Sequence, residues 1–205
     1  MGDDQDGPIH AVALSAPFAM TTTPVTLAQL QAFDPGHDNA RWKSPNVPAL
    51  MVDWFGARLF AAWVGGRLPT EAEWEYACRA GSTSAYSSGD AEADLARVGW
   101  YESNSGMTLH PVGQKPANAW GLRDMHGNAW EWCADRFGDY PEGGAADPAG
   151  PARGPDRVLR GGGILNDADG CRSAARGGDR PAGRSDNVGF RVVLPATPPA
   201  GTLDP

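Results

Sequence analysis

Apolar positions along this chain fall into short blocks separated by Gly, Pro and Asn, and helical spacing is confined to the part before Gly81. Ile9 to Met20 is mostly apolar and partly alternating, which predicts one or two strands. Thr26-x-x-Gln29 is a capping box and predicts a short helix through Phe33. Asp53 is placed to cap a second helix, Trp54 to Val64, ended by Gly65-Gly66, with Leu59, Phe60 and Trp63 on one face. Thr70-x-x-Glu73 caps a third, Glu71 to Arg79, with Trp74, Ala77 and Cys78 inward and Gly81 as the stop. Beyond it no helix is predicted. Ala96–Tyr101, Pro111-Val112, Trp120–Leu122, Trp130–Cys133, Val158–Arg160 and Gly189–Leu194 are spaced like strands of an antiparallel sheet.

The pattern reads as one α+β domain over residues 9–194. An acidic mobile tail (1–8) precedes it and a Pro-rich, disordered tail (195–205) follows. The chain has 205 residues, with 27 Gly, 18 Pro and 8 Trp. Abundant Gly and Pro favour turns over long regular elements, and the Trp side chains can still build a solid core. A net charge of −8 with no basic cluster argues against a nucleic-acid partner. No apolar run is long enough for a membrane span, and the acidic start is unlike a signal peptide, so a cytoplasmic monomer is the default expectation. Three cysteines, none in a Cys-x-x-Cys pair, argue against a disulfide scaffold or a structural zinc site.

Four strings carry more specific information. They are Gly65-Gly66-Arg67-Leu68-Pro69-Thr70-Glu71-Ala72-Glu73-Trp74-Glu75-Tyr76-Ala77, Pro116 to Trp132 (with Gly121-Leu122-Arg123-Asp124-Met125-His126-Gly127-Asn128-Ala129-Trp130-Glu131-Trp132), Arg157-Val158-Leu159-Arg160-Gly161-Gly162, and Asn187-Val188-Gly189-Phe190-Arg191. Locally, Pro69 fixes the entry to a capped helix. Trp130 and Trp132 share one side of a strand, with Glu131 on the other. In this order the strings resemble the formylglycine-generating-enzyme, or sulfatase-modifying factor, family. That resemblance implies a C-type-lectin-like fold.

Catalysis in that family rests on two cysteines after the Arg-Gly-Gly string, which bind copper through soft thiolates. Here Asn166 stands near the first position and the second has no counterpart. No catalytic residue and no copper are therefore expected. Cys171 and Cys78 resemble structural family positions, and the usual partner of the latter is replaced by Val192. No nucleophile elbow or phosphate loop is present, and His10, His37, His110 and His126 are scattered. Asp124, Gly127, Ala129 and Glu131 match a family calcium site built from oxygen ligands, which suit a hard cation. The alternative is that the two carboxylates bond only to loop backbone.

The segment 163–187 departs most from the family. Around Ala168, Cys171–Ala174, Arg176, Pro181 and Arg184 lie Gly163, Ile164, Leu165, Asn166, Asp167, Asp169, Gly170, Ala175, Gly177, Gly178, Asp179, Ala182, Gly183, Ser185 and Asp186. This resembles the variable proteins of diversity-generating retroelements. They use the same fold and vary residues ahead of a Gly-Phe-Arg-Val ending. Adenine-directed variation of AAC codons cannot produce Lys, Gln, Glu, Met or Trp, and residues 161–190 contain none of these. The resemblance implies a noncatalytic protein that binds a protein or other surface ligand through these fifteen positions. The alternatives are an enzyme of the formylglycine type and an inactive, drifted paralogue of one.

Overall fold

The computed structural model describes residues 1–3 and 5–196; the remainder of the predicted Pro-rich tail lies outside the described residues. Helices α1 (Leu27–Phe33), α2 (Trp54–Trp63) and α3 (Glu71–Arg79) start where the sequence places them. Thr26, Asp53 and Thr70 each accept a hydrogen bond from the backbone N–H three residues on. Gln29 and Glu73 return the bond to the Thr26 and Thr70 N–H groups. Each cap contributes about 1 kcal/mol.

The strands are β1 (Val12–Ala13), β2 (Phe18–Met20), β3 (Trp130–Arg136), β4 (Ala145–Ala146), β5 (Arg157–Arg160), β6 (Arg176–Asp179), β7 (Val188–Gly189) and β8 (Val193–Pro195). The main sheet has the order β6-β5-β3-β7; β3 runs antiparallel to β5 and parallel to β7. β2 pairs antiparallel with β8, and β1 parallel with β4. Alternation along β3 and β5 divides the core. Trp132 and Leu159 pack with Trp54, Phe60 and Phe190 under α1 and α2. Cys133 and Val158 pack with Trp74 and Ala77 of α3. The buried indoles keep their N–H groups satisfied: Trp132 donates to the Val52 carbonyl (3.1 Å) and Trp54 to that of Cys133 (2.8 Å).

Two motif arginines, Arg160 and Arg191, are buried, and the side chain of Arg176 is nearly so. Arg191 donates to both oxygens of Glu131 (2.6 and 2.8 Å), Arg160 pairs with Glu75, and Arg176 grips Glu71 through two 2.7 Å bonds. Removing one partner of such a pair leaves a buried charge uncompensated, at a cost of about 3–5 kcal/mol.

Several expectations are corrected. Leu59 and Trp63 point outward; the inner face of α2 is Trp54, Ala57, Phe60 and Ala61. Ala96–Tyr101 is not a strand. Helix α4 (Glu92–Val98) occupies most of it, its start held by Asp94 accepting from the Ala91 N–H, and Leu95 and Val98 turn inward three residues apart. A single turn, α5 (Glu102–Ser105), follows. Trp120–Leu122 is a turn in which Asn118 Oδ1 accepts from both the Trp120 and Leu122 N–H groups. Pro111-Val112 lies outside the strands. Gly189–Leu194 is divided between β7 and β8. The N-terminal segment docks instead of forming a mobile tail. Gly2 N–H donates to Glu75, while Asp3 and Asp6 pair with Arg172, so its acidity is matched by a specific cation.

Candidate functional site

The loop into β3 is built for close approach. A Cβ on Gly127 would lie 2.0 Å from the Trp100 carbonyl oxygen, and its φ is +83°, so glycine alone fits. Asn128 next to it exchanges two side-chain bonds with the His110 backbone, both 3.0 Å. Trp130, half-buried, emerges from this loop. Its indole N–H donates to Asn166 Oδ1 (2.9 Å), and the same oxygen accepts from the Gly163 N–H (3.0 Å). The Trp130 backbone N–H donates to the Asn187 carbonyl (2.9 Å). A Cβ on Gly163 would meet the pyrrole side of the ring at 3.6 Å, and one on Gly177 the benzene side at 3.5 Å. Trp130 thus joins both ends of the segment 163–187.

The fifteen candidate positions separate by burial. Gly163, Ile164 and Ala175 are inside, against expectation. Ile164 is held by backbone bonds to Asn128 and to the Ser105 hydroxyl, and the Ala175 carbonyl accepts from buried Arg160. The other twelve are exposed or half-exposed: Leu165, Asn166, Asp167, Asp169, Gly170, Gly177, Gly178, Asp179, Ala182, Gly183, Ser185 and Asp186. Of the string-matching residues, Cys171–Ala174 and Val188–Arg191 are buried, while Arg184 is exposed and pairs with Asp53. Room for variation differs among the glycines. A side chain at Gly177 makes ordinary contact, whereas at Gly178 a Cβ would sit 2.8 Å from the Phe137 ring and force it aside.

Cys78, Cys133 and Cys171 are free and buried. Burial pushes Cys78 and Cys171 up to about 12 and Cys133 well above its ordinary value, which favours the protonated thiol at each position. One pairing escapes sequence reading: Cys78 Sγ lies 3.6 Å from His126 Nε2. It is not an activated dyad. His126 Nδ1 donates to the Cys171 carbonyl (2.9 Å), leaving Nε2 to accept from the Ser87 N–H (3.1 Å). Burial holds this imidazole neutral, its pKa lowered to about 4.

The calcium set is only partly free. Asp124 Oδ2 accepts from the Gly113 N–H (2.7 Å), and Oδ1 is buried without a partner. Glu131, however, accepts from Arg191 and from the Trp74 indole (2.7 Å), and the Gly127 carbonyl accepts from the Ala129 N–H. A cation there would compete with a guanidinium. No helix among the described residues is long and apolar enough to cross a membrane.

Comparison with known proteins places these features. A family model described as the sulfatase-modifying factor enzyme 1-like domain matches residues 1–196. The formylglycine-generating enzyme of Streptomyces coelicolor is 38% identical over 178 residues, covering 77% of this chain and 56% of that protein. Among solved structures, Treponema denticola variable protein 1 superposes with a TM-score of 0.84 at 30% identity, over 91% of this chain and 87% of that one. PvdO from Pseudomonas aeruginosa gives 0.81 at 29% identity, over 95% and 89%. The chain spans between 24% and 70% of the length of the curated relatives it matches. It belongs to the sulfatase-modifying factor family and has that family's C-type-lectin-like fold.

Proposed function

We propose that this member of the sulfatase-modifying factor family is a noncatalytic binding protein, with the outward residues of 163–187 as a diversified contact surface around Trp130. One observation carries the reading: the string-matching runs Cys171–Ala174 and Val188–Arg191 are interior, while twelve of the fifteen departing positions are exposed or half-exposed. Variation at the exposed positions changes what the surface contacts and spares the core, since exposed substitutions usually cost within about 0.5 kcal/mol, whereas Asn166 and Gly178 are tied to Trp130 and Phe137. The likeness to Treponema denticola variable protein 1 supports this reading. The present side chains are mostly small or acidic, with few aromatic anchors, so this variant is a weak binder.

The test is at the coding locus. A near-copy of the stretch encoding 161–190, differing at adenines and lying beside a reverse transcriptase, is the expected finding; its absence removes the diversification claim. The 38% identity to a formylglycine-generating enzyme favours the competing reading of an oxidase. Incubation with copper and a Cys-x-Pro-x-Arg peptide decides between them. No aldehyde is expected, and turnover lost in Cys171→Ser would overturn the noncatalytic assignment.

A further inference from the structure

On the opposite side of β6 from the Trp130 ring, a cavity of about 350 Å³ lies under the loop 138–151. That is at the small end of the range for ligand pockets, roughly 300–1,000 Å³. Its walls are apolar, formed by Ala72, Pro141, Ala145, Pro148 and Pro151. Its floor is ionic. Asp135 from β3 and Glu71 at the first turn of α3 both line it and both are buried.

The two carboxyls differ in what surrounds them. Glu71 is matched by Arg176, whose remaining donor goes to the Gly138 carbonyl (2.9 Å), and by the Tyr140 hydroxyl (3.1 Å). Asp135 has one bond, from the Glu71 N–H to Oδ2 (2.8 Å), and makes no salt bridge. The other ionisable groups at the cavity are Asp139 and Tyr140 on the loop, Arg176 on β6, and His10 and Met1 on the N-terminal segment; outside it, Glu73 on α3 and Cys133 on β3 act on Asp135, Arg67 and Arg157 lie within electrostatic reach of it without a salt bridge, and Arg160 sits 3.7 Å from Glu71. The one guanidinium here is taken up by Glu71. An anion would find no free donor in Arg176, whereas a cation would find an unmatched carboxyl in an apolar chamber.

We propose that this cavity binds a small organic cation, a primary amine with an apolar body, its ammonium on Asp135 and its body against the prolines. The inference is independent of the binding surface around Trp130. Burial, with Glu71 and Glu73 nearby, holds Asp135 up at about 7. Amine binding therefore expels a proton to solvent, and affinity rises about tenfold between pH 6 and pH 8.

The probe is benzylamine, with benzyl alcohol as its uncharged counterpart, titrated into the ¹⁵N-labelled chain. Saturable shifts are expected at Ala72, Tyr140 and Ala145, with the alcohol at least about tenfold weaker. Asp135→Asn keeps an oxygen for the Glu71 N–H. It should lower amine affinity by about tenfold or more and flatten the pH dependence. A pH dependence persisting in that variant would overturn the assignment. Ala149→Trp, at the exposed rim, should block the amine without touching a charge. Equal binding of the alcohol, undiminished binding to Asp135→Asn, or no saturable shift at these residues would each overturn the proposal.

Discussion

Within one stretch of chain, the division of 163–187 into interior and surface positions predicts opposite responses to substitution. Ile164 is 1% exposed. Ile164→Ala deletes three carbons from a packed site; at about 0.8 kcal/mol for each buried CH₂ plus a cavity contribution, the cost is about 2–4 kcal/mol. The backbone bonds to Asn128 and Ser105 survive the change, so the loss is one of packing alone. Leu165 next to it is 50% exposed. The triple variant Leu165→Tyr, Gly177→Tyr, Ala182→Tyr adds three large rings to the outer face and should cost no more than about 1 kcal/mol in total. Urea unfolding followed by Trp fluorescence measures both. At roughly 2–4 °C per kcal/mol for a chain of this size, Ile164→Ala should also melt about 4–16 °C lower. A triple variant as destabilised as Ile164→Ala, or an Ile164→Ala that costs nothing, would refute the assignment of an outward, tolerant surface.

Other outcomes follow from the same geometry. Asn166→Ala strips the partner from the Trp130 indole and should cost about 1–3 kcal/mol, with a red-shifted emission as that ring loosens. His126 gives stability an acid limb. Its folded pKa, about 4, lies below the ordinary 6.5, so its neutral form is costless above 6.5 and stability falls as pH drops from there towards 4, by about 3 kcal/mol. The difference between wild type and His126→Gln isolates that limb from Asp135, whose raised pKa acts with the opposite sign: its stabilisation is complete below pH 4 and lost as pH rises through about 7. With Glu131 already paired to Arg191, millimolar calcium should move the melting temperature by no more than about 1 °C. A larger shift, abolished in Asp124→Asn, would place the ion on the unpartnered Asp124 oxygen.

What the sequence made legible was local. Thr26, Asp53 and Thr70 announce α1 to α3 because a cap and its partner lie within one turn. Trp130 and Trp132 announce β3 because alternation needs only neighbours. Helix α4 was hidden because Ala91 stands where a polar cap belongs and Asp94 works alone from inside the turn. Ile164 and Ala175 were misplaced because their burial depends on Ser105 and Arg160, distant in sequence. The docked N-terminus escaped for the same reason: its acidic residues find Arg172 at the other end of the chain. At the site, the departure from the family's two cysteine positions was legible only through the resemblance, since three cysteines stand elsewhere in the chain. The convergence of Asp135, Glu71 and Arg176 on one chamber was not legible, since three separate elements supply them.

The two pairings made by the last strands set a timetable for synthesis. β8 closes on β2 through Phe18 and Pro195, and β7 lies along β3. Neither can form until the chain has been made as far as residue 195, and such distant pairings are slow to find. On the ribosome, Trp132 and its neighbours therefore wait without their final cover. Any altered version of 163–187 emerges just before the strands that complete the sheet, so its compatibility with the scaffold is tried only as this domain closes.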